Sequence, residues 1–265
     1  MIESVERIVP VDGDLAEIVW ALGLGDNVVA TDISATYPEA ADASTKIGYQ
    51  RALSAEPILA LEPNVVLATE VAGPAETLTD LERTGVPVVI VPTPPTVDGP
   101  ATKIRAVAEA LGVPERGEAL AAEVDGQITA AAARVDGSIE PPRIAAMYVR
   151  GENVQLVLGA ESGIGWVIDE IGAVNIADEL GVADAQEITA EAMLVAAPDV
   201  IIVPSAGLES VGGVDGLLSI GGLAQTPAGQ NARVFSYDDQ YLLGNGPRTG
   251  QLIDEMITDI YGGAQ

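Results

Sequence analysis

Short apolar runs alternate with amphipathic stretches along the chain. In the first half, the β-rich runs RIVPV, NVVATD, NVVLAT and PVVIVP are separated by LAEIVWALG, SAEPILALE and PAETLTDLERTG. In the second, RIAAMYV, VQLVLGA, DVIIVP and ARVFSY are interleaved with GIGWVIDEIG, TAEAMLVAA and TGQLIDEMITDIYG. Strands that alternate with helices predict βαβ units around a parallel sheet, here in two α/β halves. Between the halves, GVPERGEALAAEVDGQITAAAARVDGS is rich in Ala, Glu and Leu, and predicts one long helix from near Pro114 to near Gly137. The expected organisation is an N-terminal lobe over residues 1–112, a bridging helix over 113–137 and a C-terminal lobe over 138–265. A rigid helical link differs from the flexible linker of freely tumbling domains.

An internal repeat supports two related lobes. Ser54-Ala55-Glu56, Ile58-Leu59 and Pro63-Asn64-Val65-Val66 recur at the same spacing as Thr189-Ala190-Glu191, Met193-Leu194 and Pro198-Asp199-Val200-Ile201. Each copy reads as a hydroxyl N-cap, a Glu facing the helix dipole, an apolar face and a Pro that stops the helix before a buried strand. After each strand a turn delivers a glutamate, Glu76 in AGPAE and Glu209 in AGLE. Either acid alone reads as an ordinary helix-start carboxylate, and their matched placement points to a shared role.

The composition removes several function classes. Forty acidic residues against twelve basic ones give the 265-residue chain a formal charge of -28, which repels nucleic acid and anionic lipid surfaces. There is no cysteine and no histidine, so disulfides, thiolate catalysis and the usual nucleophile–base pairs are excluded. No apolar run reaches the length of a membrane span, and MIESVERIVPVDGD lacks the layout of a leader peptide, which leaves the compartment open. ALGLGDN follows a helical pattern and reads as a helix C-terminus rather than a nucleotide loop.

One chemical element occurs twice. Tyr49-Gln50-Arg51 precedes the repeated helix of the first half, and Tyr148-Val149-Arg150 ends the first strand of the second. A phenol with pKa about 10 becomes an anionic ligand when a metal or neighbouring cation stabilises the phenolate, as ferric iron and a guanidinium do. The alternative is a pair of strand-end tyrosines with backbone partners and arginines in surface ion pairs. Near the C-terminus, SYDDQYLLGNGPRTG brings Tyr241 before a Gly-rich turn and Arg248 to a helix start, where a ligand carboxylate or a local ion pair is expected. Trp20 and Trp166 read as core.

GYQRALSAEPILALEPNVVLATEVAGPAE, YVRG, GLESVGGVDGLL and YLLGNGPRTG together resemble the haemin-binding substrate-binding proteins of bacterial, particularly actinobacterial, ABC importers. The resemblance covers nearly the whole chain. It implies the class III periplasmic binding protein fold, two Rossmann-like lobes joined by one long helix, shared with cobalamin- and siderophore-binding proteins. By it, Tyr49, where some relatives carry histidine, and Tyr148 are the axial ligands of a haem iron in the interlobe cleft. Arg150 hydrogen-bonds the phenolate, and Arg51, Tyr241 and Arg248 are further ligand contacts. Two phenolates on one iron are electrostatically costly, so one tyrosine is expected to bind firmly and the other weakly. Glu76 and Glu209 would meet arginines of a permease dimer. The implied protein is a monomeric, non-catalytic, extracytoplasmic carrier, periplasmic or lipid-anchored at the cell surface. The rival readings are the same scaffold with a ferric siderophore or corrinoid, and a haem-dependent enzyme.

Overall fold

A computed structural model describes residues 4–262. Contacts divide the chain into two compact units. The first takes the chain through Pro94, with Asp98–Gly126 and Gly244–Thr249, and the second takes Pro95–Val97, Gln127–Leu243 and the chain from Gly250 onward.

The first unit contains β1 (Ile8–Val11), α1 (Gly13–Ala21), α2 (Glu39–Asp42), α3 (Ala55–Leu59), β2 (Val65–Ala68), α4 (Ala75–Arg83), β3 (Val88–Ile90) and α5 (Gly99–Ala110). Its sheet is parallel, in the order β1-β2-β3, with Ile8 opposite Val65 and Val66 opposite Val88. Every residue of β1 and β2 is buried, as expected of parallel strands covered on both faces. Val9, Val11, Val66 and Ala68 pack with Ile58 and Leu81, so α3 and α4 seal this sheet.

Next comes α6 (Pro114–Ala132), which runs from the first unit into the second, the division falling after Gly126. It stops at Ala132, short of Gly137. Tight turns close there, Arg134 N donating to Ala131 O and Val135 N to Ala132 O, while the Arg134 guanidinium bonds Asp254.

The second unit continues with β4 (Arg143–Arg150), β5 (Val154–Leu158), α7 (Ile164–Glu170), β6 (Val174–Asn175), α8 (Ile176–Glu179), β7 (Ala185–Glu187), α9 (Ala190–Ala196) and β8 (Val200–Pro204). After these come α10 (Ser205–Ser210), α11 (Gly213–Ser219), α12 (Pro227–Gln230), β9 (Val234–Tyr237), α13 (Asp239–Leu243) and α14 (Thr249–Tyr261). Its sheet runs β7-β5-β4-β8-β9, with β6 beside β4. The β4-β8-β9 part is parallel and the β4-β5-β7 part antiparallel. Ala145, Met147, Val149, Ile201 and Val203 form its core with Leu217.

The two α/β units, with one long helix passing from one into the other, are the predicted architecture. The repeat also has a structural counterpart. Ser54 and Thr189 are the N-caps of α3 and α9, and the strands that follow, β2 and β8, both lie inside their sheets. Thr189 caps by side chain, its hydroxyl accepting from Ala192 N at 3.2 Å, whereas Ser54 makes no such bond. The residues before the repeated prolines, Glu62 and Ala197, both have positive φ, 47° and 45°. This left-handed backbone favours glycine, and its recurrence marks the turn as one shared by both copies.

Two further expectations are corrected, and one helix had no counterpart in the pattern. NVVATD is not a strand: it forms isolated bridges, Val28 with Ile8 and Thr31 with Lys46, although Ala30 packs in the core with Val9 and Val11. Glu209 does not start a helix but lies in the last turn of α10, while Glu76 keeps its first-turn place in α4. The periodicity also passed over α5, whose opening Gly99-Pro100 resembles a turn but supplies a favoured proline at the helix start.

Candidate functional site

Alternation along β4 shapes the second tyrosine–arginine element. Met147 and Val149 point into the core, so Tyr148 and Arg150, two residues apart, share the opposite face. Antiparallel pairing with β5 sets Tyr148 opposite Leu156. The Arg150 guanidinium lies over the Tyr148 ring, 4.4 Å from its centroid. It is held by the Val149 carbonyl, to which Nη1 donates at 2.8 Å, and by Asp239 at the start of α13. Both partners of that ion pair are about 30% exposed, 33% and 27%, so the pair is neither fully screened nor stripped of water.

The first element has a different geometry. Tyr49-Gln50-Arg51 lies in a turn, so its tyrosine and arginine do not stack. Backbone bonds fix the turn: Ile33 N donates to Gly48 O at 2.9 Å, Ala52 N to Tyr49 O and Gly73 N to Gln50 O, both at 2.8 Å. Gly48 has φ 103°, which a side chain would strain. Tyr49 is left 40% exposed and Arg51 is exposed, while Gln50 turns inward with Oε1 buried. Equal spacing therefore yields a stacked pair on the strand and two separate exposed side chains on the turn.

Further apolar side chains stand near that turn in the sequence. Ile33 is 54% exposed, and Tyr37 and Val71 are also exposed. The Ile33–Gly48 and Gly73–Gln50 bonds tie the loops that carry Ile33 and Val71 to the Tyr49 turn. In a unit whose β1 and β2 are buried, these apolar groups at loop positions suit the face of a flat, partly apolar ligand.

Beneath these loops sits a charged cluster. Lys103 of α5 pairs with Asp14 of α1, both almost fully buried, and its Nζ also donates to Gly244 O at 2.8 Å. Asp12 caps α1 at Gly13 N and accepts from the Thr69 hydroxyl at 3.2 Å. Ser34 Oγ donates to Asp32 Oδ1 at 2.9 Å. Burial, reinforced by Asp14 and Asp32, pushes the Asp12 carboxyl up to about 8, against the opposing pull of Lys103 and Thr69. Burial raises Asp32 as well, with the Ser34 bonds working against it. The cluster thus favours a proton on Asp12 over another buried negative charge.

Arg248 belongs to the same region. Its Nε and Nη2 donate to the two carboxylate oxygens of buried Glu17, each at 2.9 Å, and its guanidinium lies 3.7 Å from the Tyr37 ring centroid. The ion pair of Arg248 is not local but long-range, to Glu17 of α1, and the arginine lies over Tyr37. Tyr241, in the second unit, lines a groove with Gln127, Arg134, Asp254 and Glu255. Glu76 and Glu209 are both exposed, and Glu76 lines an open groove on α4 with Thr79, Asp80 and Arg83. Trp166 is buried, and Trp20 packs against Ala16, Ala35 and Ala41.

Two functional groups were not read from the sequence. Asp239 in SYDDQ lies 89 residues beyond its partner Arg150, a separation that no local pattern reveals. Asp12 had a weak signal, an aspartate directly after a strand and before a helix. No group of acidic residues suited to hold a metal ion occurs among the described residues, and no described helix is long and apolar enough to cross a membrane.

A family model described as periplasmic binding protein matches residues 8–241. The chain is similar to the solved apo form of the periplasmic haem-binding protein RhuT from Roseiflexus sp. RS-1, with 48% identity and TM-score 0.94, covering 99% of this chain and all of that one. It is similar to the haem-binding protein HmuT, with 34% identity and TM-score 0.88 over 98% of this chain and 86% of that one. The vitamin B12-binding protein of Vibrio campbellii is 34% identical over 125 residues, about half of each chain, 47% and 45%.

Proposed function

Because the chain belongs to the periplasmic binding protein family, we propose that it captures ferric haem outside the cytoplasm and delivers it to the permease of an ABC importer, without catalysis. The observation that carries this reading is Arg150 over the Tyr148 ring. A guanidinium against a phenol favours the phenolate, and a phenolate is a hard anionic ligand suited to ferric iron. Tyr148 is thus the firm iron ligand, and Arg150 stabilises its charge.

The HmuT variants support the assignment. Solved alanine variants of HmuT alter a histidine, a tyrosine 99 residues later, and an arginine two residues after that. Tyr148 follows Tyr49 by 99 residues, with Arg150 two further on. Tyr49 is the phenol that the first unit offers to the ligand, and its exposure leaves it accessible. Arg51, exposed beside it, is placed to meet a propionate, and Tyr37, braced by Arg248, supplies an aromatic surface. Glu76 and Glu209, exposed on their separate units, are the proposed contacts for permease arginines.

The vitamin B12-binding relatives favour a corrinoid as the second reading. Calorimetric titration of the apo-protein with haemin and with a cobalamin separates the two. Saturable haemin binding with no heat from cobalamin supports the haem reading, and the reverse overturns it.

A further inference from the structure

Arginine loses much rotamer freedom when it is fixed, and one ring contact offsets only part of that loss. In a chain with forty acidic residues, an untethered guanidinium would also find other carboxylates. The contacts around Arg150 answer both problems. Its Nη2 donates to Asp239 Oδ1, and the carboxylate is itself oriented, because Oδ2 accepts from Ala206 N at 3.1 Å. Gly207, the next residue of α10, leaves space for the arrangement: a Cβ there would stand 2.8 Å from Val149 O and 2.9 Å from Arg150 Nη1. Strand β4, helix α10 and helix α13 therefore converge on one guanidinium. An arginine needed only for surface charge requires none of this.

We propose that Asp239 is the positioning residue for iron ligation by Tyr148, holding the Arg150 guanidinium against the phenol so that the phenolate is stabilised where it forms. The inference rests on the haem reading and goes beyond it, since it assigns a role to Asp239, whose carboxylate accepts from Arg150 and from Ala206 N. Its effect passes through Arg150.

Two measurements test it. With the guanidinium 4.4 Å from the ring centroid, the ring current of Tyr148 is expected to shift the Arg150 Nε–H resonance in the apo-protein. Asp239→Ala moves that resonance to the position of a free arginine, and the isosteric Asp239→Asn retains part of the shift. In the haem-loaded protein, transfer of haem to an excess of a scavenging apoprotein accelerates about tenfold in Asp239→Ala, the loss of roughly one charge-assisted hydrogen bond. It accelerates no further when Asp239→Ala is added to Arg150→Ala. Circular dichroism checks that the variants fold, and Asp239→Asn carries the comparison where the alanine variant does not. An unshifted resonance with unchanged transfer in Asp239→Ala overturns the proposal, as does an equal added effect in the Arg150→Ala background. A wild-type protein that takes up no haem sinks the haem reading itself, so the two failures are distinct.

Discussion

Asp14 and Lys103 form an almost fully buried ion pair between the first and fifth helices, and the lysine also donates to the Gly244 carbonyl. The two charges are removed from water together, so neither can be deleted alone at low cost. Lys103→Met leaves a buried carboxylate unpaired and should lower unfolding stability by about 3–5 kcal/mol. Adding Asp14→Asn should recover much of the loss. Urea denaturation of wild type and the two variants checks this, and equal destabilisation by Lys103→Met and the double change would contradict it.

The neighbouring Asp12 predicts an unusual pH dependence. Its carboxyl is raised from its ordinary 3.8 to about 8 in the folded chain. Between those values the folded state holds a proton that the unfolded state has released. This contribution to stability is therefore full below about 3.8 and lost as pH rises through about 8. The neutral mimic Asp12→Asn should flatten that part of the profile and match or exceed wild type at pH 9. Thermal midpoints from pH 5 to 9 provide the test, and parallel profiles for the two proteins would rule out Asp12 as the source.

Space around Arg150 gives a third expectation. Gly207→Ala puts a methyl group within 3 Å of both the Val149 carbonyl and the guanidinium, so the arginine must move. Haem affinity should fall by about tenfold, as in Arg150→Ala. The overpacking itself costs roughly 1–3 kcal/mol of stability. Gly207→Ala binding haem like wild type would show that the guanidinium has room to spare.

The exposed glutamates should separate capture from delivery. Glu76 and Glu209 are both exposed, so in Glu76→Lys and Glu209→Lys haem binding should hold within twofold, within the range of ordinary surface substitutions. Haem delivery to a reconstituted permease should drop, most in the double variant. Undiminished delivery by the double variant would remove these acids from the docking surface.

The sequence displayed most of the scaffold because its signals are local. Strand runs such as NVVLAT and DVIIVP are continuous and apolar, and they become β2 and β8, buried inside their sheets. Alternation over Met147–Arg150, the last four residues of RIAAMYVR, places Tyr148 and Arg150 on one face. What stayed hidden depends on contacts distant along the chain. Arg150 meets Asp239, Lys103 meets Asp14, and Arg248 meets Glu17 across 231 residues, so no window of sequence contains both partners. The matching spacing of the two Tyr-x-Arg elements concealed a difference that only backbone conformation reveals, one a strand and the other a turn.

The central claim is that Tyr148 supplies a phenolate to ferric haem. It is tested most directly by optical titration of the apo-protein with haemin, repeated on Tyr148→Phe and Tyr49→Phe. Wild type should give a saturable, shifted Soret band with a tyrosinate charge-transfer band. That band should vanish in Tyr148→Phe and persist, weakened at most, in Tyr49→Phe. An unchanged charge-transfer band in Tyr148→Phe would contradict the account.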